Sequence, residues 1–134
     1  MDRKTARACA MKLVYEWKMG GDGGEDTLSG LLEISSEDEE FDFVQKLLDG
    51  VKANENALGE ALTKYLAPGW TLLRLCKVDL SILYIAAYEI LYTGLETSII
   101  INEAVELAKK YSGDKDSSFI NGLLGSMARS ERNA

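Results

Sequence analysis

Residues 117–125 read Ser-Ser-Phe-Ile-Asn-Gly-Leu-Leu-Gly, SSFINGLLG, and the fold class turns on how Asn121-Gly122 is read. An Asn-Gly pair between apolar residues ordinarily signals a tight turn joining two strands. Strands would have to alternate apolar and polar residues on either side of it, and these do not. Phe119, Ile120, Leu123, Leu124 and Met127 instead fall on one face of a helix that follows SGDKD, with Ser117 or Asp116 as its cap. Gly122 then stands inside a helix, where it costs about 1 kcal/mol relative to alanine. The sequence therefore predicts another helix packed close against Gly122, and a hydrogen bond from Asn121 to a neighbouring loop or helix end.

The same period runs through the rest of the chain. In RKTARACAMKLVYEWKM, residues 3–19, Ala6, Cys9, Ala10, Leu13, Val14 and Trp17 repeat at helical spacing until GGDGG at 20–24 breaks the pattern. DTLSGLLEI (26–34) reads as a short second helix. SSEDEEFDFVQKLLDGV (35–51) reads as a third, opened by Ser36 with Glu39 as a capping box and with acids suited to the helix dipole. NENALGEALTKYLA (54–67) is a fourth, stopped at the only proline, in APGW. LSILYIAAYEILYTG (80–94) is apolar nearly all round and so must run through the centre. TSIIINEAVELAKKYSG opens at Thr97 or Ser98 and closes on Lys109, Lys110 and Gly113. Nothing indicates a sheet, a repeat or a long linker, so the expectation is one all-α domain spanning residues 1–134.

At 134 residues and 46% hydrophobic content the chain can bury a core unaided. No apolar run reaches the roughly 18 residues of a membrane span, and the first 20 residues are charged throughout, unlike a secretion signal. A soluble cytoplasmic protein is the expectation. The absence of histidine removes most zinc sites and every His-based triad, and Cys9 and Cys76, far apart, read as buried thiols.

A net charge of −7 argues against a nucleic-acid partner until its distribution is read. Residues 1–18 hold five basic and two acidic side chains, a net of +3; residues 19–60 hold two lysines against twelve acids; the remainder balances. At 100° per residue Lys4, Arg7, Met11, Tyr15 and Lys18 form a stripe beside the apolar face of the first helix. Cations neutralise phosphates and a ring stacks on an unpaired base, so the stripe suits single-stranded RNA, the alternative being a solvated helix flank.

INEAVELAKKYS followed by SSFINGLLG, with LSILYIAAYEI upstream and ARACAMKLVYEW at the N-terminus, resembles the NusB family of bacterial transcription antitermination factors over nearly the whole chain. The resemblance implies a bundle of about seven helices, with no catalysis, no cofactor and no metal. It also implies binding to the boxA element of nascent RNA together with NusE, a ribosomal protein of the small subunit. That complex would join the elongating RNA polymerase and suppress premature termination, notably in ribosomal RNA synthesis; a homodimer is left open. Carried over residue by residue, the RNA-binding set is Arg3, Lys4, Arg7 and Tyr15, with Lys110, Lys115, Asp116 and Ser117 around the loop before the last helix; Lys18 joins them from the stripe. Lys4 and Thr5 stand where relatives have successive arginines, which loses bidentate phosphate contacts. For the NusE surface the resemblance points to Asp79, either pairing with a basic partner or capping the central helix, and to Tyr84, where arginine is common. Glu89 and Glu103 read as internal hydrogen-bonding residues. A rival reading is a protein-only module working through the acidic segment SSEDEEFDF. The enzyme reading, a domain fused to a ribosomal RNA methyltransferase, finds no glycine-rich strand-to-helix turn.

Overall fold

The computed structural model describes residues 1–21 and 37–132. They form six α-helices: α1 (Arg3–Lys18), α2 (Phe41–Ala53), α3 (Glu55–Thr63), α4 (Lys77–Tyr92), α5 (Thr97–Tyr111) and α6 (Asp114–Arg132), with one 3-10 turn, Leu72–Arg74, between α3 and α4. The described residues thus hold one helix fewer than the expected seven. The helix expected at 26–34, and the Ser36 cap, lie outside the described residues.

The central element is α4, as its composition required. Eleven of its sixteen residues are buried, from Asp79 to Ile90, and it packs against all five other helices. Side chains such as Leu13, Leu48, Leu62, Ile100 and Leu124 close around its Leu83 and Ile90, each removing about 1.5–3 kcal/mol worth of apolar surface from water. The helices α5 and α6 pack closely on each other, and α1 packs on both α4 and α2. APGW makes the turn after α3: Pro68 fixes one corner, Gly69 takes a φ of +88°, and the Trp70 amide donates to the Ala67 carbonyl at 3.0 Å.

Two helix starts differ in detail from the sequence reading, and that of α5 agrees with it. At α2 the first residue is Phe41, and Asp38 accepts the Glu40 amide at 2.8 Å, so Glu39 sits before the helix and cannot complete a capping box. At α5 the N-cap is Glu96, and Thr97 is the first helical residue. At α6 the helix begins at Asp114, because Gly113, with φ +128°, ends α5 and turns the chain directly into the next helix. Asp114 and Asp116 then lie in the first turn, favourable to the helix dipole.

Gly122 is inside α6, as the period required, but nothing stands within 4 Å of where its Cβ would be, and Asn121 beside it is exposed. The close-packing explanation is therefore wrong for Gly122. It holds for Gly50 on α2, where an added Cβ would land on the ring of Tyr88. Cys76 is also not the buried thiol expected of it: Cys9 is buried, but Cys76 is exposed at the start of α4. Burial nonetheless pushes both thiols above the ordinary cysteine range.

Buried polar groups tie the helices together. Arg7 of α1, 5% exposed, meets Glu89 of α4, 3% exposed. Nε donates to Oε1 at 3.0 Å and Nη2 to Oε2 at 2.9 Å. The Met1 ammonium donates to Asp38, and Arg132 donates to the carbonyls of Ile90 and Leu95, fixing both ends of the chain to the bundle.

Two expectations follow for stability. Gly122→Ala should be neutral or stabilising by up to about 1 kcal/mol, since an exposed helical site gains helix propensity and meets no neighbour; a loss above that in a urea titration would restore the close-packing view. Arg7→Ala should cost about 3–5 kcal/mol, because it leaves Glu89 charged and buried without a partner. A simultaneous Arg7→Met and Glu89→Leu change should recover most of the loss in the same titration.

Candidate nucleic-acid interface

The stripe read along α1 divides in the structure. Arg7 and Met11 are buried, so Arg7 is an internal ion-pair residue and not a free phosphate contact. The helical arithmetic placed it on the edge of the apolar face, and the missing information was the carboxylate waiting on α4. Lys18 is also largely enclosed: its ammonium pairs with Glu55 at 2.7 Å and lies 4.2 Å from the centre of the Tyr84 ring. Lys4 stays exposed but pairs with Glu106, and Arg3 pairs with Glu40 while lying 3.8 Å over Phe43. Tyr15 remains open to solvent at 37% exposure.

What the structure brings together is a neighbouring face. A groove of about 360 Å³ between α1 and α5 is lined by Lys4, Ala8, Lys12, Glu106, Lys110 and Tyr111. Lys12 and Lys110 hold their ammonium groups 5.5 and 5.4 Å from the centre of the Tyr111 ring, and neither makes an ion pair among the described residues. A shallow continuation carries Lys12 and Tyr111 on to Tyr15 and Val78. Beyond Val78, at the start of α4, a hollow of about 540 Å³ is lined by Trp70, Arg74, Asp79, Lys115, Asp116 and Phe119. Arg74 lies 4.8 Å over the Trp70 ring. The result is a band of four aromatic rings interleaved with cations, running from the start of α1 to the turn between α5 and α6. Sequence reasoning placed Tyr15, Lys110 and Lys115 on it but missed Lys12, Tyr111, Trp70, Arg74 and Phe119. Only Lys12 and Tyr111 left a signal: Lys12 is three residues before Tyr15, and Tyr111 adjoins Lys110.

The remaining expected residues are structural. Ser117 is buried and its hydroxyl donates back to the Asp114 carbonyl at 2.9 Å. Tyr84 is buried, its ring covered by Lys18. Asp79 is buried in the first turn of α4 and accepts from the Ser112 hydroxyl at 2.7 Å. It is neither a surface charge for a partner nor the N-cap, which is Cys76. Cys76 Sγ and carboxylate oxygens of Asp79 and Asp116 lie within 4.8 Å of one another, a set that could in principle face a cation. Asp79, however, already shares its oxygens with Ser112, Cys76 and Asp116, and burial together with the hydrogen bond from the Asp116 side pushes its pKa up to about 6. Burial and the neighbouring carboxyl favour the protonated form of Asp79.

Because the folded value lies above the ordinary aspartate value, the stability from protonated Asp79 is complete at pH below about 4 and is lost as pH rises through about 6. Asp79→Asn should therefore gain stability over the parent between pH 4 and pH 7, by on the order of 2 kcal/mol. Thermal unfolding at both pH values checks this. A difference that does not change with pH would show that Asp79 ionises normally.

Comparison with known proteins bears on the family and the fold. The model of the NusB family matches residues 4–129. Similar chains include the transcription antitermination protein NusB of Acetivibrio thermocellus, 38% identical over 96% of this chain and 90% of that one. That of Clostridium botulinum (strain Kyoto / Type A2) is 34% identical over 95% of this chain and 99% of that one. Among solved structures, Thermotoga maritima NusB superposes with a TM-score of 0.82 at 28% identity, covering 96% of this chain and 92% of that one. A chain from a structure of the antitermination factors NusB and NusE in complex with double-stranded RNA superposes at 0.85, covering 96% of each, and at 24% identity shows likeness of fold alone. With the family model matched over almost its whole length on an all-helical bundle of the same shape, the chain belongs to the NusB family.

Proposed function

We propose that this chain is a transcription antitermination factor, with no catalytic role, that binds boxA-type single-stranded RNA together with NusE and acts through the elongating RNA polymerase, notably on ribosomal RNA transcripts. The observation that carries the reading is the band of Tyr15, Tyr111, Trp70 and Phe119 interleaved with Lys12, Lys110, Lys115 and Arg74. Exposed and half-buried rings beside ammonium groups without an ion pair among the described residues suit unstacked bases on a phosphate chain. Lys4 and Arg3 would extend the track at the start of α1, once released from Glu106 and Glu40. Family membership supplies the partner and the setting, the bacterial cytoplasm. In keeping with that setting, no described helix is long and apolar enough to cross a membrane.

For NusE the reading turns to the apolar 3-10 turn beside the band, since Asp79 and Tyr84 do not reach the surface. Leu73 there is 86% exposed, next to a half-exposed Trp70, an apolar patch of the kind that marks a protein partner. The protein-only alternative through the acidic segment gains no support, because Asp38 and Glu40 are engaged with the Met1 ammonium and Arg3.

The test is a titration of boxA-like and scrambled RNA at several salt concentrations, with and without NusE. Lys12→Ala and Lys110→Ala should each reduce the salt slope by about 0.7, the value for one phosphate contact on a single strand. Tyr111→Ala and Tyr15→Ala should each cost about 1–3 kcal/mol with the slope unchanged. Leu73→Asp should weaken only the gain due to NusE. Parental affinity and slope in all four band variants would remove the band from RNA binding.

A further inference from the structure

On the other flank of α1, away from the band, lies a pocket of about 370 Å³ closed by α2 and the C-terminal end of α4. Its walls are rings: Phe43 on one side, and Tyr88 and Tyr92 on the other, stacked with centroids 5.5 Å apart and planes at 26°. Tyr92 shows half of its surface to solvent. Its charged lining is Arg3, Arg7, Lys46 and Glu89, with Arg7 paired to Glu89 and Arg3 to Glu40. Lys46 makes no ion pair among the described residues. At the base, Glu89 engages Nε and Nη2 of the buried Arg7.

We propose that this pocket binds one nucleotide, with its ring against Tyr92 and its phosphate on Lys46, joined by Arg3 once it is released from Glu40. The volume lies in the range of small-ligand pockets. A flat ring and an anion are the two chemistries the walls and rim recognise: exposed aromatic faces stack on bases, and guanidinium and ammonium groups hold phosphate. The Arg7–Glu89 pair gives the floor a fixed orientation that surface lysines lack. The same chemistry is offered by a free mononucleotide and by an unstacked or terminal nucleotide of RNA. The inference rests on this pocket alone and does not need the band to bind RNA.

Amide resonances of ¹⁵N-labelled protein would be followed during separate titrations with inorganic phosphate, with uridine and adenosine 5′-monophosphates, and with a short single-stranded RNA. Saturable shifts at Lys46, Tyr92 and Thr93 are expected with a mononucleotide and not with phosphate alone. Lys46→Ala should weaken that binding about three- to tenfold, the effect of one charge-assisted contact. Tyr92→Ala should weaken it roughly five- to hundredfold, the loss of one base stack. Both side chains lie at the rim, and an unchanged spectrum elsewhere would show that the variants fold. RNA that displaces the mononucleotide from Tyr92 identifies RNA as the source; RNA that shifts only the Lys12 and Tyr111 face leaves the pocket to the free nucleotide. No saturable shift at Tyr92 up to millimolar mononucleotide, equal affinity for phosphate alone, or unaltered affinity in both variants would overturn the proposal. Failure of RNA to bind at Lys12 and Tyr111 would instead count against the function proposed above and leave the mononucleotide result standing.

Discussion

The bundle depends on one buried ion pair that fixes how two helices face each other. An apolar pair of similar volume at Arg7 and Glu89 would give α1 and α4 comparable or greater stability, because desolvating two charges offsets most of their attraction. What the ion pair adds is intolerance: a rotation of α1 by one residue, 100°, would leave a guanidinium and a carboxylate buried apart. With α4 in contact with every other helix, the orientation of α1 relative to α4 decides which side chains of α1 reach the surface. Lys12 and Tyr15 face outward, and Arg7 and Met11 face inward, as a consequence of that one register.

The fold was legible because its signals are local. Each apolar face repeats at helical spacing, α4 announces its central place by having almost no polar side, and SSFINGLLG reads as helix once strand alternation is tested for and not found. The site was much less legible, and the failures share a cause. Arg7, Asp79 and Tyr84 are each polar or part-polar groups whose position depends on a partner far away in the chain: Glu89, Ser112 and Asp116, and Lys18. No periodicity reports such a pairing. The same holds for Gly122, where helix spacing located the residue correctly and only the neighbouring helices could say whether its face was covered. Trp70 and Phe119 are far apart in the sequence and meet only because the APGW turn brings the end of α3 back over α6.

The acidic segment changes meaning once it is seen folded. Twelve acids between residues 19 and 60 would repel a polyanion if they were spread over the surface. In the described part, Asp38 and Glu40 are directed at the chain's first residues, holding the Met1 ammonium and Arg3, and Glu55 holds Lys18. Part of the segment therefore serves to anchor α1, and part of the N-terminal positive charge is consumed in doing so. The excess of +3 in residues 1–18 overstates what α1 offers to a phosphate chain.

Subtracting the engaged groups leaves Lys12, Lys110 and Lys115 as the cations of the band without an ion pair among the described residues, with Arg74 laid over Trp70. Three or four phosphate contacts at a slope of about 0.7 each give a modest dependence on salt. They also give modest affinity, since nonspecific attraction scales with the same count. The aromatic rings must therefore supply much of the binding energy, about 1–3 kcal/mol for each stacked base. A surface that relies on stacking more than on charge gains little from long-range steering and is selective for unpaired bases over duplex, whose bases already stack on each other. In the proposed complex it also gives NusE a physical role: a second surface that raises the effective concentration of the same RNA offsets the small number of phosphate contacts that this acidic chain can make alone.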